Sequence, residues 1–163
     1  MQDSEVLAIV RASAPRRWLA VSLMASLGLL LLWVAISTPP TLGWQIFLIA
    51  MGAGSLWLAD RLRRATANWL ELTRDGLRDN TGQVVIAMDQ IRQVERGMFA
   101  FKPSNGFLIH GSDPMAKAWE PGLWWRFGKR VAIGGVTAAS QTKFMSEIIA
   151  AQLFERDGAG RDA

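Results

Sequence analysis

The 163-residue sequence contains no cysteine and a single histidine, His110. The first absence excludes disulfides, thiolate metal sites and cysteine nucleophiles. The second leaves no set of imidazoles to hold a metal, and a lone histidine needs a positioned carboxylate or nucleophile before it can act as a base. A third absence is local. Asp, Glu, Lys and Arg make up 20% of the chain, yet none occurs between Trp18 and Ala59. The charges crowd on either side of that block, with Arg11, Arg16 and Arg17 before it and Arg61, Arg63 and Arg64 after it. Two regions suited to different solvents are thus joined in one chain.

The first charge-free segment, Trp18–Ile36, spans about 28 Å as a helix, close to the ~30 Å hydrocarbon thickness of a bilayer. Trp18 and Trp33 lie near its ends, where aromatic rings favour the interface. Two prolines and a glycine within residues 37–43 cannot continue a helix and predict a short turn. The second segment, Trp44–Ala59, covers only about 24 Å, and reaches the interface if Asp60 and Arg61 snorkel and the helix continues through Leu62. The rival readings are a buried core helix and a signal peptide cut near Ala35-Ile36-Ser37. Basic residues flank both ends and the turn has none, so the positive-inside rule puts both termini in the cytoplasm and the turn outside. Small residues four apart, Ser22/Ser26 and Ala50/Gly54, predict the faces through which the helices approach.

After Asp60 the composition changes to short runs of β-formers separated by turn signals. The expected strands are 69–73, 77–78, a long stretch from Gln83 through Met88, Ile91 and Val94, then 98–102, 107–110, 123–127 and 130–133. An irregular loop is expected between the last pair and His110. Phe99, Phe101 and Phe107 alternate as a sheet core would, around a Pro103-Ser104-Asn105-Gly106 turn. From Ser140, the spacing of Phe144, Ile148, Ala151 and Phe154 predicts an amphipathic helix with those residues facing inward, ended by Gly158 and Gly160. The resulting organisation is a leader (1–17), a transmembrane hairpin (18–62), a linker (63–68), a β domain (69–156) and a disordered tail (157–163).

Strands followed by one closing helix, with the phrases Leu70-Glu71-Leu72-Thr73-Arg74-Asp75-Gly76-Leu77 and Met88-Asp89-Gln90-Ile91-Arg92-Gln93-Val94, resemble bacterial pleckstrin-homology-like (PH-like) domains. The resemblance covers roughly residues 14 to 155, and departs from the pattern in Met88, where an aromatic is common. It implies an α+β chain: a two-helix transmembrane hairpin plus a PH-like β-sandwich or barrel closed by a C-terminal amphipathic helix, in a bacterial inner membrane. A six-stranded barrel of another type is the alternative.

No catalytic, cofactor or metal site can be nominated. Gly122–Arg130 superficially matches a phosphate loop, but five residues separate its glycines and Arg130 replaces the Ser or Thr that would bind magnesium. Gly134-Gly135 is a turn without a dinucleotide fingerprint. The informative segment runs from Trp119 to Gly135. Trp119, Trp124 and Trp125 suit a protein interface, where tryptophan is enriched at hot spots. Arg126, Lys129 and Arg130 suit anionic headgroups. Strand alternation puts Trp124 and Arg126 on one face, Trp125 and Phe127 on the other. Nucleic acid is disfavoured, since from Asp60 onward 15 basic residues face 12 acidic ones, without a strong basic field. The expectation is a non-enzymatic membrane-anchored interaction module: an assembly factor, regulator or accessory subunit whose partner is another membrane protein. Membrane lipids surround the hairpin, and a small-molecule substrate is disfavoured. The alternative is binding or sensing of anionic lipid by the PH-like domain.

Overall fold

A computed structural model of the chain describes residues 5–38, 40–96 and 103–159. The two apolar segments form α1 (Ala14–Ser37) and α2 (Leu42–Ala65), each of 24 residues. At the α-helical rise each is about 36 Å long. Pro15 sits in the first turn of α1, where its missing N–H is no loss. The second helix is longer than its uncharged stretch because Arg63 and Arg64 both reach back to Asp60, at 3.0 and 2.6 Å. These pairs stabilise the last turns, where cations also suit the helix dipole. Thr66 closes the end by donating its hydroxyl to the Leu62 carbonyl at 2.6 Å.

The helices pack antiparallel, and their crossing is made of bare backbone. A Cβ on Gly28 would lie 2.8 Å from Leu56 Cγ and 2.9 Å from the Gly52 carbonyl; one on Gly52 would lie 2.8 Å from Leu32 Cγ. Ala35 and Ala59 are buried one heptad further along each helix. Gln45 Nε2 donates to the Ala35 carbonyl at 3.1 Å near the turn, and Arg17 donates to the Arg63 carbonyl at 3.0 Å at the other end. The approach does not use the Ser22/Ser26 and Ala50/Gly54 faces: all four residues are exposed. Small residues at spacing four recur on several faces here, and Leu32 and Leu56 complete the sockets that select the glycines. Both helices are long and apolar enough to cross a membrane, and only 17% and 11% of their apolar windows are buried within the chain. Leu29, Trp33, Ile36, Trp44 and Trp57 are all more than half exposed, whereas a core helix of a soluble domain would hide them.

The remaining chain is mixed α+β. One sheet has the order β1 (Ala8–Arg11), β2 (Trp69–Thr73), β3 (Gly76–Asp79), β4 (Val84–Ala87); the other has β5 (Ile91–Glu95), β6 (Phe107–Glu120), β7 (Trp124–Ile133). Every pairing is antiparallel. A 3₁₀ turn at Met88–Gln90 separates β4 from β5, where the sequence suggested one long strand. The described residues form two antiparallel sheets and no closed barrel. The expected strand at Met98–Lys102, with Phe99 and Phe101, lies outside the described residues.

Strand β1 comes from the expected leader. It pairs with β2 in the register Ala8↔Leu72 to Arg11↔Trp69, and Ala8 and Val10 enter the core. Its outward side is also used: the Arg11 guanidinium lies 4.6 Å over the Trp69 ring, while the cross-strand pair Glu71 and Arg78 forms an ion pair at 3.2 Å. After β1, Ser13 N–H donates to the Val136 carbonyl and Arg16 to the Thr137 carbonyl, at 2.7 and 3.0 Å. The turn after β3 is held by the buried Asp79 carboxylate, which accepts from Thr81 N–H, the Thr81 hydroxyl and Gln83 N–H.

Both sheets contribute to a single core that includes Leu70, Leu72, Leu77, Ile91, Phe107, Ile109, Trp124 and Val131. Helix α3 (Ala139–Ala159) closes it, three residues into the stretch expected to be a tail; residues 160–163 lie outside the described part. The buried face of α3 is Thr142, Met145, Ser146, Ile149 and Leu153. The expected inward stripe is therefore met only at Ile148, which is partly buried against the core, and its other three residues face outward. Phe144 and Phe154 are 54% and 81% exposed, and Ala151 is exposed as well. Two interleaved apolar stripes occupy this helix, and Arg156 helps choose between them by donating to the carbonyls of Met88 and Ile91, at 3.2 and 3.0 Å.

Candidate functional site

The Trp119–Gly135 segment lies on the β6–β7 hairpin, including residues expected to be loop. The register explains the misreading. Phe107 to His110 pair with Ile133 to Arg130, and then Met115 pairs with Gly128, so four residues of β6 bulge against one of β7. Pro114 lies in that bulge, and Gly128 takes a left-handed conformation, φ +57°. Beyond the bend, residues 115–120 and 124–128 form an arm. The turn that ends it is stitched to the strand exit, since Gly134 N–H donates to the Leu123 carbonyl and Val136 N–H to that of Gly122.

The arm is fastened to the end of α2. Arg61 donates to the Trp119 carbonyl at 3.2 Å and approaches Glu120 at 3.6 Å. Gly122 faces Leu62, where an added Cβ would come within 2.6 Å of Leu62 Cδ1. Arg61 is the first basic residue after the charge-free block, so the turn that ends the arm lies level with the end of the apolar helix.

Alternation along the arm separates the expected site residues. Trp124 points inward and is 1% exposed, with its indole N–H finding no acceptor among the described residues. A residue so placed belongs to the core and not to a contact surface. Arg126 shares that inner side: it donates to the carbonyls of Ala116, Val84 and Val85, at 2.8, 3.2 and 2.7 Å. Its guanidinium therefore links the arm to β4 of the other sheet, and is occupied by protein rather than free for a headgroup. Trp119 and Trp125 are cross-strand partners. Trp119 is 47% exposed and Trp125 half-buried, and next to them Phe127 is 60% exposed. Lys117 completes this outer face, its ammonium 4.8 Å from the Phe127 ring centroid. Lys129 and Arg130 follow, both exposed.

Lys117 and Phe127 were not among the expected site residues. Phe127 could have been found from the alternation that places it with Trp125; Lys117 lay in a stretch without a strand signal. The sequence also gave no hint of a partner for His110. Its Nε2 lies 3.2 Å from Glu95 Oε2, a diagonal cross-strand contact between β6 and β5. Gly122–Arg130 forms a turn and a strand, not a loop opening a helix as phosphate binding of that type requires. Among the described residues no three His, Asp or Glu side chains gather where they could share an ion. No model of a known protein family matches this sequence, and no curated protein matches it either.

Proposed function

We propose that the protein is a non-enzymatic, membrane-anchored interaction module. A PH-like domain is held by the α1–α2 hairpin at a bacterial inner membrane, with both ends of the chain in the cytoplasm. It acts as an assembly factor, regulator or accessory subunit of an inner-membrane complex, and its partner is another integral membrane protein. The observation that carries this reading is the outward face of α3, on which Phe144, Ala151 and Phe154 stand exposed while Met145, Ile149 and Leu153 of the same helix pack inward beside Thr142 and Ser146. A helix that keeps two phenylalanines in water has the form of a helix-face contact. The anchor makes a membrane protein the favoured occupant, because confinement to one bilayer raises the effective concentration of everything else confined there.

Strand pairing supports the topology. The strands flanking the hairpin, β1 and β2, are hydrogen-bonded to each other, so a spanning hairpin must bring both of its ends out on one side. The six arginines at those ends favour the cytoplasmic side. A cleaved signal sequence fits poorly, since cutting near Ala35-Ile36-Ser37 would remove β1 and the core residues Ala8 and Val10.

The test is recovery of the full-length chain from native membranes in mild detergent. A dominant membrane partner is expected, and Phe144→Ala combined with Phe154→Ala should release it while leaving thermal stability within about 0.5 kcal/mol, as for exposed positions. Recovery of no membrane protein above background, or retention of the partner by the double variant, overturns the proposal. Trp124→Ala is unsuitable here, because it empties the core.

A further inference from the structure

We infer that the outer face of the β6–β7 arm lies on the surface of the same bilayer that the hairpin spans, docking the domain flat against lipid; this rests on the membrane reading above. Three observations converge. The first is position: Arg61 holds the Trp119 carbonyl, and Gly122 sits against Leu62, so the far end of the arm lies where the charge-free stretch of α2 has just ended. That is the depth of the headgroup layer for a helix spanning the membrane, and the arm cannot leave it without releasing these contacts. The second is chemistry. Trp119, Trp125 and Phe127 share one outward face with Lys117 above the Phe127 ring. Tryptophan and phenylalanine with a lysine whose stem can lie along them form the mixture suited to the water–hydrocarbon boundary, where ring and ammonium meet different solvents. Lys129 and Arg130, both exposed further along β7, add positive charge near this face.

The third observation is economy of exposure. Across the strand pair, Trp124 goes to the core and Arg126 bonds three carbonyls of the protein, so the arm is rigidly linked to both sheets. A rigid arm with an aromatic outer face continues the apolar belt of α2 sideways. Its occupant is lipid and not a protein partner, because the face is contiguous with a helix end that lipid already surrounds. Among the described residues the contact of α1 with this part of the chain is made before α3, by Arg16 on the Thr137 carbonyl, and the outward face of α3 remains the protein-facing surface. Docking in this way fixes the tilt of the domain, and with it the direction in which α3 is presented.

The absence of cysteine allows a clean test. The full chain, reconstituted in vesicles of phosphatidylcholine and phosphatidylglycerol, is labelled at one of three single cysteines with an environment-sensitive fluorophore: Leu27→Cys in α1, Phe127→Cys on the arm, Phe154→Cys on α3. Lipids brominated high on the acyl chain should quench the label at 127 by about twofold, as expected of an interfacial aromatic position. Aqueous iodide should quench the label at 154 instead. Bromolipid quenching at 27 without any at 127 overturns the docking and leaves the membrane reading intact. Quenching at neither 27 nor 127 overturns both. A label at 127 shielded from iodide and bromine alike, as by a second protein surface, also overturns the docking.

Discussion

Leu29 and Leu72 are the same residue used in opposite ways. Leu29 is 61% exposed on α1, and Leu72 is fully buried in β2. The hairpin turns its large side chains outward, and its two helices meet through Gly28 and Gly52; the β domain packs most of its large side chains into one core and leaves a few, such as Phe127 and Phe154, outside. In water the first arrangement would expose a continuous apolar belt, far more than a soluble monomer tolerates. In lipid it is the stable one, since tails solvate leucine and only close packing distinguishes one helix face from another. The comparison teaches that burial within the chain reports which solvent each region was built for, while composition reports only the average of the two.

The contrast can be broken by substitutions of known size. Leu72→Ala should have the largest effect, lowering domain stability by about 3 kcal/mol through lost transfer energy and a cavity, measured by denaturant unfolding in detergent micelles. Gly28→Val comes next, because the added carbon meets Leu56 and the Gly52 carbonyl; overpacking of this kind costs about 1–3 kcal/mol. Its readout is disulfide trapping between Ala35→Cys and Gln45→Cys, whose yield should fall as the helices separate. Arg126→Ala should cost about 2 kcal/mol by leaving carbonyls of Val84, Val85 and Ala116 without their charged donor, with faster hydrogen exchange in β4 and the arm as its signature. Leu29→Ala should change stability by less than about 0.5 kcal/mol in the same micelles. A loss at Leu29 as large as that at Leu72 would place the α1 surface against protein and dissolve the contrast.

The hairpin was legible because a charge-free run has one dominant physical explanation, and the α+β character of the rest followed from turn signals such as Asp79-Asn80-Thr81-Gly82. Three features were not legible for specific reasons. Strand β1 is four residues long and its partner lies beyond the whole hairpin, so no local pattern announces it. Residues 111–120 contain Pro114 and a bulge that interrupts alternation, which disguised half of the arm. Helix α3 carries two apolar stripes, and periodicity cannot say which one is buried; Arg156 and the sheet it meets decide that. Of the expected site residues, Trp119 and Trp125 reach the surface together, whereas Trp124 and Arg126 serve the interior, a division that alternation foreshadowed without assigning the sides.

The pairing of β1 with β2 carries a consequence for how the chain is made. Residues 8–11 leave the ribosome long before residues 69–73, and everything between them is the hairpin. In a membrane-spanning hairpin the first strand would therefore wait unpaired until both helices have been inserted. Closing so long a segment would be entropically costly for a flexible chain. A preformed helical pair removes most of that cost by returning the chain to its starting point, with Arg17 already bonded to the Arg63 carbonyl. Membrane insertion would then be the nucleating step of folding, and the sheet its report. Lengthening one helix by a single residue, harmless to hydropathy, should rotate the returning end and put β2 out of register with the strand that awaits it.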